Sequence, residues 1–225
     1  MQQTNARTRR LRPPLTRERI LDVAIGLADT GGLPALTMRG LGHALGVEAM
    51  SLYNHVDDKD DVLDGIVDQV LFGIDLTPAA DDWRASIRET AISAHGVLVR
   101  HPWSCELVLL PNRPSISIAR IRYIESILAR LRSAGFSSAG ASRGYHAVDS
   151  HVLGFTLWEL GHAMPDDAPP DFLETLLSSF EFSDYPYLAE HAREHLKKSE
   201  VPDVGEFEFG LDLILDGLER IRDTV

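Results

Sequence analysis

The 225-residue chain has one cysteine, Cys105. That excludes an internal disulfide framework and fits a reducing compartment, the cytoplasm. No window approaches 18 consecutive apolar residues, so no membrane-spanning helix is expected. The opening MQQTNARTRRLRPP has no apolar run and does not read as a signal peptide. No glycine-rich phosphate loop and no G-x-S-x-G is present, so nucleotide and acyl chemistry have no support. No segment alternates apolar and polar residues as a half-buried strand would. What remains is an all-α chain, long enough to bury a real core in one large or two small domains.

Positive charge is scarce as well. Lysine and arginine total 22 against 34 acidic residues, for a formal net charge of -12. The scarcity is uneven. Up to Arg19 there are six arginines against Glu18, a local charge of +5, which leaves -17 on the rest. A basic arm on an acidic body fits an electrostatic tether to a polyanion, and a merely solvated tail fits the same composition.

The punctuation predicts helices throughout. Thr16 caps a first helix that ends at Gly31-Gly32. Thr37 caps a second, with Leu41 and Leu45 inward and Gly46 closing it. A very short third helix must fit between Val47 and Val56. Asp57 or Asp58 caps a fourth, with its stripe from Val62 to Leu71 and with Asp60 and Asp61 at the positive end of its dipole. After a break over 73–80 come segments at about 82–100, 115–134 and 138–163. A final helix, capped by Asp203, carries Phe207, Leu211, Ile214, Leu215, Leu218 and Ile221.

The Gly46-Val47-Glu48 joint between the second and third helices has helix-turn-helix spacing. Leu52 and Val56, four apart, point inward together. The pairs Ala49/Tyr53 and Met50/Asn54 then point outward. A small residue, a thioether, a phenol and an amide make an odd solvent surface but a sensible major-groove surface. Alanine and methionine meet a thymine methyl, asparagine reads an adenine edge, and tyrosine donates to phosphate. His55 and Lys59 follow at the rim. Periodicity alone equally allows this pair to pack on the protein's own body.

The stretch ALTMRGLGHALGVEAMSLYNHVDDKDDVLD, with its LGV-x-x-x-x-LY-x-HV core, resembles the DNA-binding domain of the tetracycline-repressor (TetR) family of transcription regulators. FEFGLDLILDGLERI and SAGFSSAGASRGYHAVDSHVLGF are similar to the C-terminal domain of its tetracycline-responsive branch. The resemblance implies a flexible basic arm (1–14), a three-helix helix-turn-helix domain with its linking fourth helix (15–72), and a helical ligand-binding and dimerisation domain (73–225). Thr37, Ser51, Tyr53, His55 and Lys59 would hold phosphates, Arg39 would reach a guanine, and Ala49, Met50 and Asn54 would face bases. Met38 departs from the small polar residue common there, and Gly40 and Gly42 loosen the second helix. The implied function is a ligand-responsive repressor, not an enzyme. It would bind double-stranded DNA at an inverted-repeat operator as a homodimer and be released by a small-molecule effector, with no cofactor, no metal and no membrane partner. Tyr145, Val148 and Val152 would meet Phe207, Leu211, Ile214, Leu215 and Leu218 in an intersubunit four-helix bundle. The effector site would draw on His95, Trp103, Asn112, Tyr123, His151, Phe155 and Trp158, residues with a polar handle amid apolar neighbours; any of them is equally at home in a helical core. Where that branch places a magnesium-binding histidine, this chain has Leu109, which offers no lone pair to a hard cation.

Two other classes compete. HAREH, His191 to His195, matches the H-x-x-E-H pattern of a zinc hydrolase, with His191 and His195 on the metal and Glu194 activating water. Its charged surroundings between Pro186 and Pro202 suit a solvated amphipathic segment better. His146 and Asp149 share a helix face from which His151 falls away, so a three-ligand site is not expected there. A helical protein-interaction module without DNA binding is the third reading, and the intact Tyr53, His55 and Lys59 argue against it.

Overall fold

The computed structural model describes residues 14–79, 82–109, 117–162, 184–198 and 205–222, with isolated positions between 169 and 182. Every regular element among the described residues is a helix. They fall into two compact units. The first holds the described residues up to Gly73 together with Arg100–Ile121; the second holds Ile74–Val99 and the described residues from Arg122 onward.

The first unit is built on α1 (Arg17–Ala35), α2 (Met38–Leu45), α3 (Ala49–Leu52) and α4 (Lys59–Leu71). Thr16 caps α1 by accepting from the Arg19 amide at 3.3 Å. Ile20, Ala24 and Ala28, on one helical face, are buried. Gly32 has φ 68 and breaks the helical run, but one more turn through Pro34 carries α1 on to Ala35, so the expected stop is a kink. Asp58 rather than Asp57 caps α4, accepting from the Asp61 amide at 2.8 Å. The whole Val62–Leu71 stripe of α4 is buried. Gly65 lets α1 and α4 close up, since a Cβ there would lie 2.7 Å from Leu21 Cδ2.

Helix α6 (Trp103–Leu109) also belongs to this unit, packed against α1 and α4. A single division near residue 72 does not anticipate this. The cause is local chemistry: Trp103, Ser104 and Cys105 are buried, and the Trp103 indole donates to Asp29 on α1 at 2.6 Å.

The second unit contains most of α5 (Trp83–Arg100) and α7 (Ile118–Ser133), and α8 (Ser138–His162), α9 (Pro186–Lys198) and α10 (Glu206–Arg222). Asp82 caps α5 and Ser137 caps α8 through their side-chain oxygens. Gly135, at φ 95, closes α7. Asp203, the expected cap of α10, lies outside the described residues. Helices α8 and α10 run antiparallel: Gly144 lies by Leu218 and His151 by Gly210. Arg130 ties α7 to the start of the unit, donating to Ser86 O, Thr90 Oγ1 and Leu76 O at 2.6–3.0 Å. Three acceptors compensate a guanidinium whose pKa burial lowers. Arg84 pairs with Asp216 and Glu219, and Arg88 with Asp212, fastening α10 to α5.

Candidate nucleic-acid interface and small-molecule site

The α2–α3 pair is set from beneath by Leu41, Leu45, Leu52 and Val56, all buried. Thr37 caps α2, accepting from the Gly40 amide at 3.0 Å, and leaves its own surface to solvent. Gly46, at φ 71, ends α2, and the Val47 amide returns to Gly42 O at 2.9 Å. Gly42 suits this turn: a Cβ there would sit 3.0 Å from Val47 O and 3.1 Å from Ala49 N, closer than side chains ordinarily pack.

On this frame Met50 is 75% exposed, with Tyr53, Asn54, His55 and Arg39 also exposed. Ala49, Ser51 and Lys59 are half-buried. α3 is a single turn, and its cap position, Glu48, makes no side-chain hydrogen bond. The orientation of this turn therefore rests on its buried residues and on the bend that follows. Asp61 fixes that bend. Its carboxylate accepts both guanidinium nitrogens of Arg17 (2.7 and 2.6 Å) and the Asp57 amide (3.0 Å). Arg17, one of the six arginines of the basic N-terminal stretch, is thus spent inside the unit. Composition could not show this, because its partner is 44 residues away. The Arg17 hydrogen bonds hold the Asp61 pKa below the usual carboxylate range.

A depressed carboxylate pKa stabilises the fold above the unfolded value of about 3.9, and the gain is lost as pH falls through the folded value. The stability difference between wild type and Asp61→Asn is therefore expected to be constant from pH 5 to 8 and to shrink below about pH 4. Arg17 is 41% exposed, so that difference should stay under about 1 kcal/mol. Urea unfolding across this pH range checks it; a difference that grows on acidification would contradict the assignment.

In the second unit four of the candidate effector residues meet. His95 stacks on Phe207 with centroids 4.1 Å apart and planes 8° apart, and Phe155 stands edge-on to both. His151 also stacks on Phe207, and its Nε2 donates to Phe207 O at 2.8 Å. Trp158 packs on Phe155 and is half exposed. Gly210 makes room for His151, where a Cβ would overlap the ring. Two polar groups not anticipated from sequence complete the cluster. Thr156 donates to Val152 O, so His95 Nδ1 is the donor to Thr156 Oγ1 at 2.8 Å. His95 Nε2 then faces Glu159 at 3.1 Å, a contact that favours a protonated ring. Burial opposes it and pushes the His95 pKa down, against the pull of Glu159 and Glu208.

The remaining candidates lie elsewhere. Tyr123 is buried in the second unit, Trp103 is bound to Asp29 in the first, and Asn112 lies outside the described residues. His191 is exposed on α9, and the side chains of Glu194 and His195 lie outside the described residues. Of the expected interface residues, Tyr145, Val148, Val152, Phe207, Leu211, Leu215 and Leu218 are buried inside one chain and Ile214 is half-buried. The large apolar side chains left exposed on α8 and α10 are Leu157, Trp158, Phe209, Leu213 and Ile221.

Residues 77–222 match the model of a family described as tetracyclin repressor-like, C-terminal domain. The HTH-type transcriptional repressor Rv1353c of Mycobacterium tuberculosis is 32% identical over 222 residues, which cover 96% of this chain and 84% of the relative. A possible TetR family transcriptional regulator of Streptomyces coelicolor A3(2) superposes with a TM-score of 0.75 at 27% identity, over 91% of this chain and 99% of its own. ActR of Streptomyces coelicolor, solved in complex with actinorhodin, superposes with a TM-score of 0.69 at 26% identity, over 93% and 99%.

Proposed function

The chain belongs to the TetR family of transcriptional regulators, and from that premise we propose a homodimeric repressor that grips an inverted-repeat operator through α2 and α3 and lets go when a small molecule binds the second unit. The observation that carries the reading is the outward set Met50, Tyr53, Asn54 and His55 above a wholly buried Leu41–Leu45–Leu52–Val56 floor. Ala49, Met50 and Asn54 face bases, Arg39 reaches a guanine, and Thr37, Ser51, Tyr53, His55 and Lys59 hold phosphates. The acidic body is no obstacle, since phosphates meet only this face. Selection from a random duplex pool tests the reading directly. The recovered sites should be inverted repeats with half-sites about 34–36 Å apart or slightly more. Isolated half-sites saturated by monomers, or no enrichment at all, would end it.

Phosphate and base contacts separate on mutation. Lys59→Ala should weaken all duplexes alike and lower the salt slope by about one unit per lost contact, two per dimer. Asn54→Ala or Met50→Ala should instead relax preference at particular base pairs by about 1–3 kcal/mol. Salt titrations on operator and scrambled duplexes distinguish the two patterns.

The second reading head comes from a second copy joined through α8 and α10. The side chains that meet are the exposed ones: Leu157 and Trp158 on α8, and Phe209, Leu213 and Ile221 on α10. Gly154, Gly161 and Gly217 lie in open space between them and permit close approach. The aromatic cluster of His95, His151, Phe155 and Trp158 supports a largely apolar, aromatic effector with one or two polar handles. Leu109, half exposed at the end of α6, supplies no ligand for a magnesium-borne drug. Tetracycline, with or without magnesium, is therefore expected to leave the operator complex intact in a gel-shift titration. Tight magnesium-dependent release would reverse that expectation. The reading places the protein in the cytoplasm, with no catalytic role.

A further inference from the structure

The segment Arg100–Ile121 is the part of the chain that continues from α5 into α7, yet it is counted with the first unit. Two carboxylates hold its described ends there. At one end Asp29, near the end of α1, accepts from the Trp103 indole at 2.6 Å and from His101 Nδ1 at 2.8 Å on the same oxygen, Oδ1. At the other end Asp68 of α4 accepts from the Ser117 hydroxyl at 2.7 Å and the Ala119 amide at 2.9 Å, so α4 caps α7.

The first clasp bears on α1. That helix begins at Arg17, which is locked to Asp61 beneath the bend that follows α3, and carries the Trp103 clasp on Asp29, just before the Gly32 kink. A stiff helix pinned at both ends relays a displacement of one to the other. The pin is specific: Trp103 and Ser104 are buried, the indole N–H has a short bond to a charged acceptor, and a carboxylate accepting two donors fixes direction as well as distance. Apolar contact alone would have let α6 slide.

We propose that Asp29 is a positioning residue for DNA binding: through Trp103 and His101 it clasps α6 to α1, and the clasped arrangement is the one in which α3 is set for the operator. This rests on the repressor reading above and makes α1 a route into the reading head. Linkage then requires that operator DNA tighten the clasp as much as the clasp tightens DNA binding.

The test uses the full-length protein with Trp83→Phe and Trp158→Phe, which leaves Trp103 as the sole indole; because Trp158 belongs to the proposed dimer face, this background is first matched to wild type in sedimentation and operator affinity. The DNA is the inverted-repeat duplex recovered from the random pool. Adding it should lower acrylamide quenching of Trp103. Asp29→Ala should weaken operator binding about tenfold, within the usual range of coupling, and abolish the DNA-induced change in quenching. Asp29→Asn, which keeps an acceptor oxygen, should retain both. Trp103→Phe, read by affinity alone, removes the N–H donor together with part of the buried ring and should repeat the affinity loss. An Asp29→Ala protein that melts earlier but binds operator normally at a temperature where it is folded would make the contact merely structural and overturn the proposal. So would a Trp103 signal indifferent to DNA. Failure of the parent protein to enrich any duplex would instead remove the repressor reading itself, an outcome distinct from both.

Discussion

Replacing Leu213 by aspartate is expected to turn the protein into a folded monomer and to weaken operator binding by more than a hundredfold. Leu213 is 58% exposed on α10, one turn from Phe209 (68% exposed) and two turns from Ile221. With Gly217, these form a row at intervals of four along the helix, opposite the buried row of Leu211, Leu215 and Leu218. A charge on the outer row costs nothing within one chain, because that side already meets water. In a dimer it would be desolvated against its own symmetry copy. Loss of the second reading head removes the gain from simultaneous binding, on the order of 10²–10⁴ in apparent affinity. Sedimentation and operator titration measure the two effects, and circular dichroism checks the fold. Leu211→Asp is the contrast: its side chain is fully buried within the chain, so it should unfold the second unit outright. A dimeric Leu213→Asp protein would place the interface elsewhere.

That contrast also shows where sequence reasoning stops. α10 is apolar on two faces. Periodicity assigned Phe207, Leu211, Leu215 and Leu218 to one stripe correctly, but it cannot say whether a stripe meets the same chain or another. Only the packing of α8 against α10, with Gly144 by Leu218 and His151 by Gly210, shows the stripe to be internal. The reading head was far more legible because its determinants are local. Thr16, Thr37 and Asp58 cap helices by accepting from amides three residues on, and Gly46 turns the chain where it stands. Long-range polar bonds left no such trace. Arg17 looked like one more cation of the arm, and Trp103 like a candidate effector contact, until Asp61 and Asp29 proved to hold them. Four of the five rings of the aromatic cluster were visible as effector candidates, Phe207 being assigned to the interface. The Thr156 and Glu159 partners of His95 were not, because they lie some sixty residues along the chain.

Gly42 carries the other large effect. In a helix interior glycine costs about 1 kcal/mol against alanine, so propensity alone ranks Gly42→Ala as stabilising. The structure opposes that ranking. An added Cβ would meet Val47 O at 3.0 Å, Ala49 N at 3.1 Å and Ala49 Cα at 3.2 Å, all of them backbone atoms of the turn and of the first residue of α3. These atoms cannot rotate away as a side chain would; the turn itself must move by a few tenths of an ångström. For alanine the squeeze and the propensity gain should nearly offset, leaving stability within about 1 kcal/mol of wild type. The displacement, however, falls on Ala49 and so on Met50, and operator affinity should drop about tenfold, or 1.4 kcal/mol. Valine adds branching where no space exists, with an overpacking cost of about 1–3 kcal/mol. Gly42→Val is therefore expected to abolish operator binding, by more than about a hundredfold or 2.7 kcal/mol, while the protein still sediments as a dimer, because the second unit is untouched. Leu213→Asp should show the reverse pairing, an intact reading head on a monomer. Running both variants through the same sedimentation and gel-shift series separates damage to the head from loss of the partner. A Gly42→Val protein that binds operator within threefold of wild type would mean that the α2–α3 turn yields more freely than its backbone contacts allow.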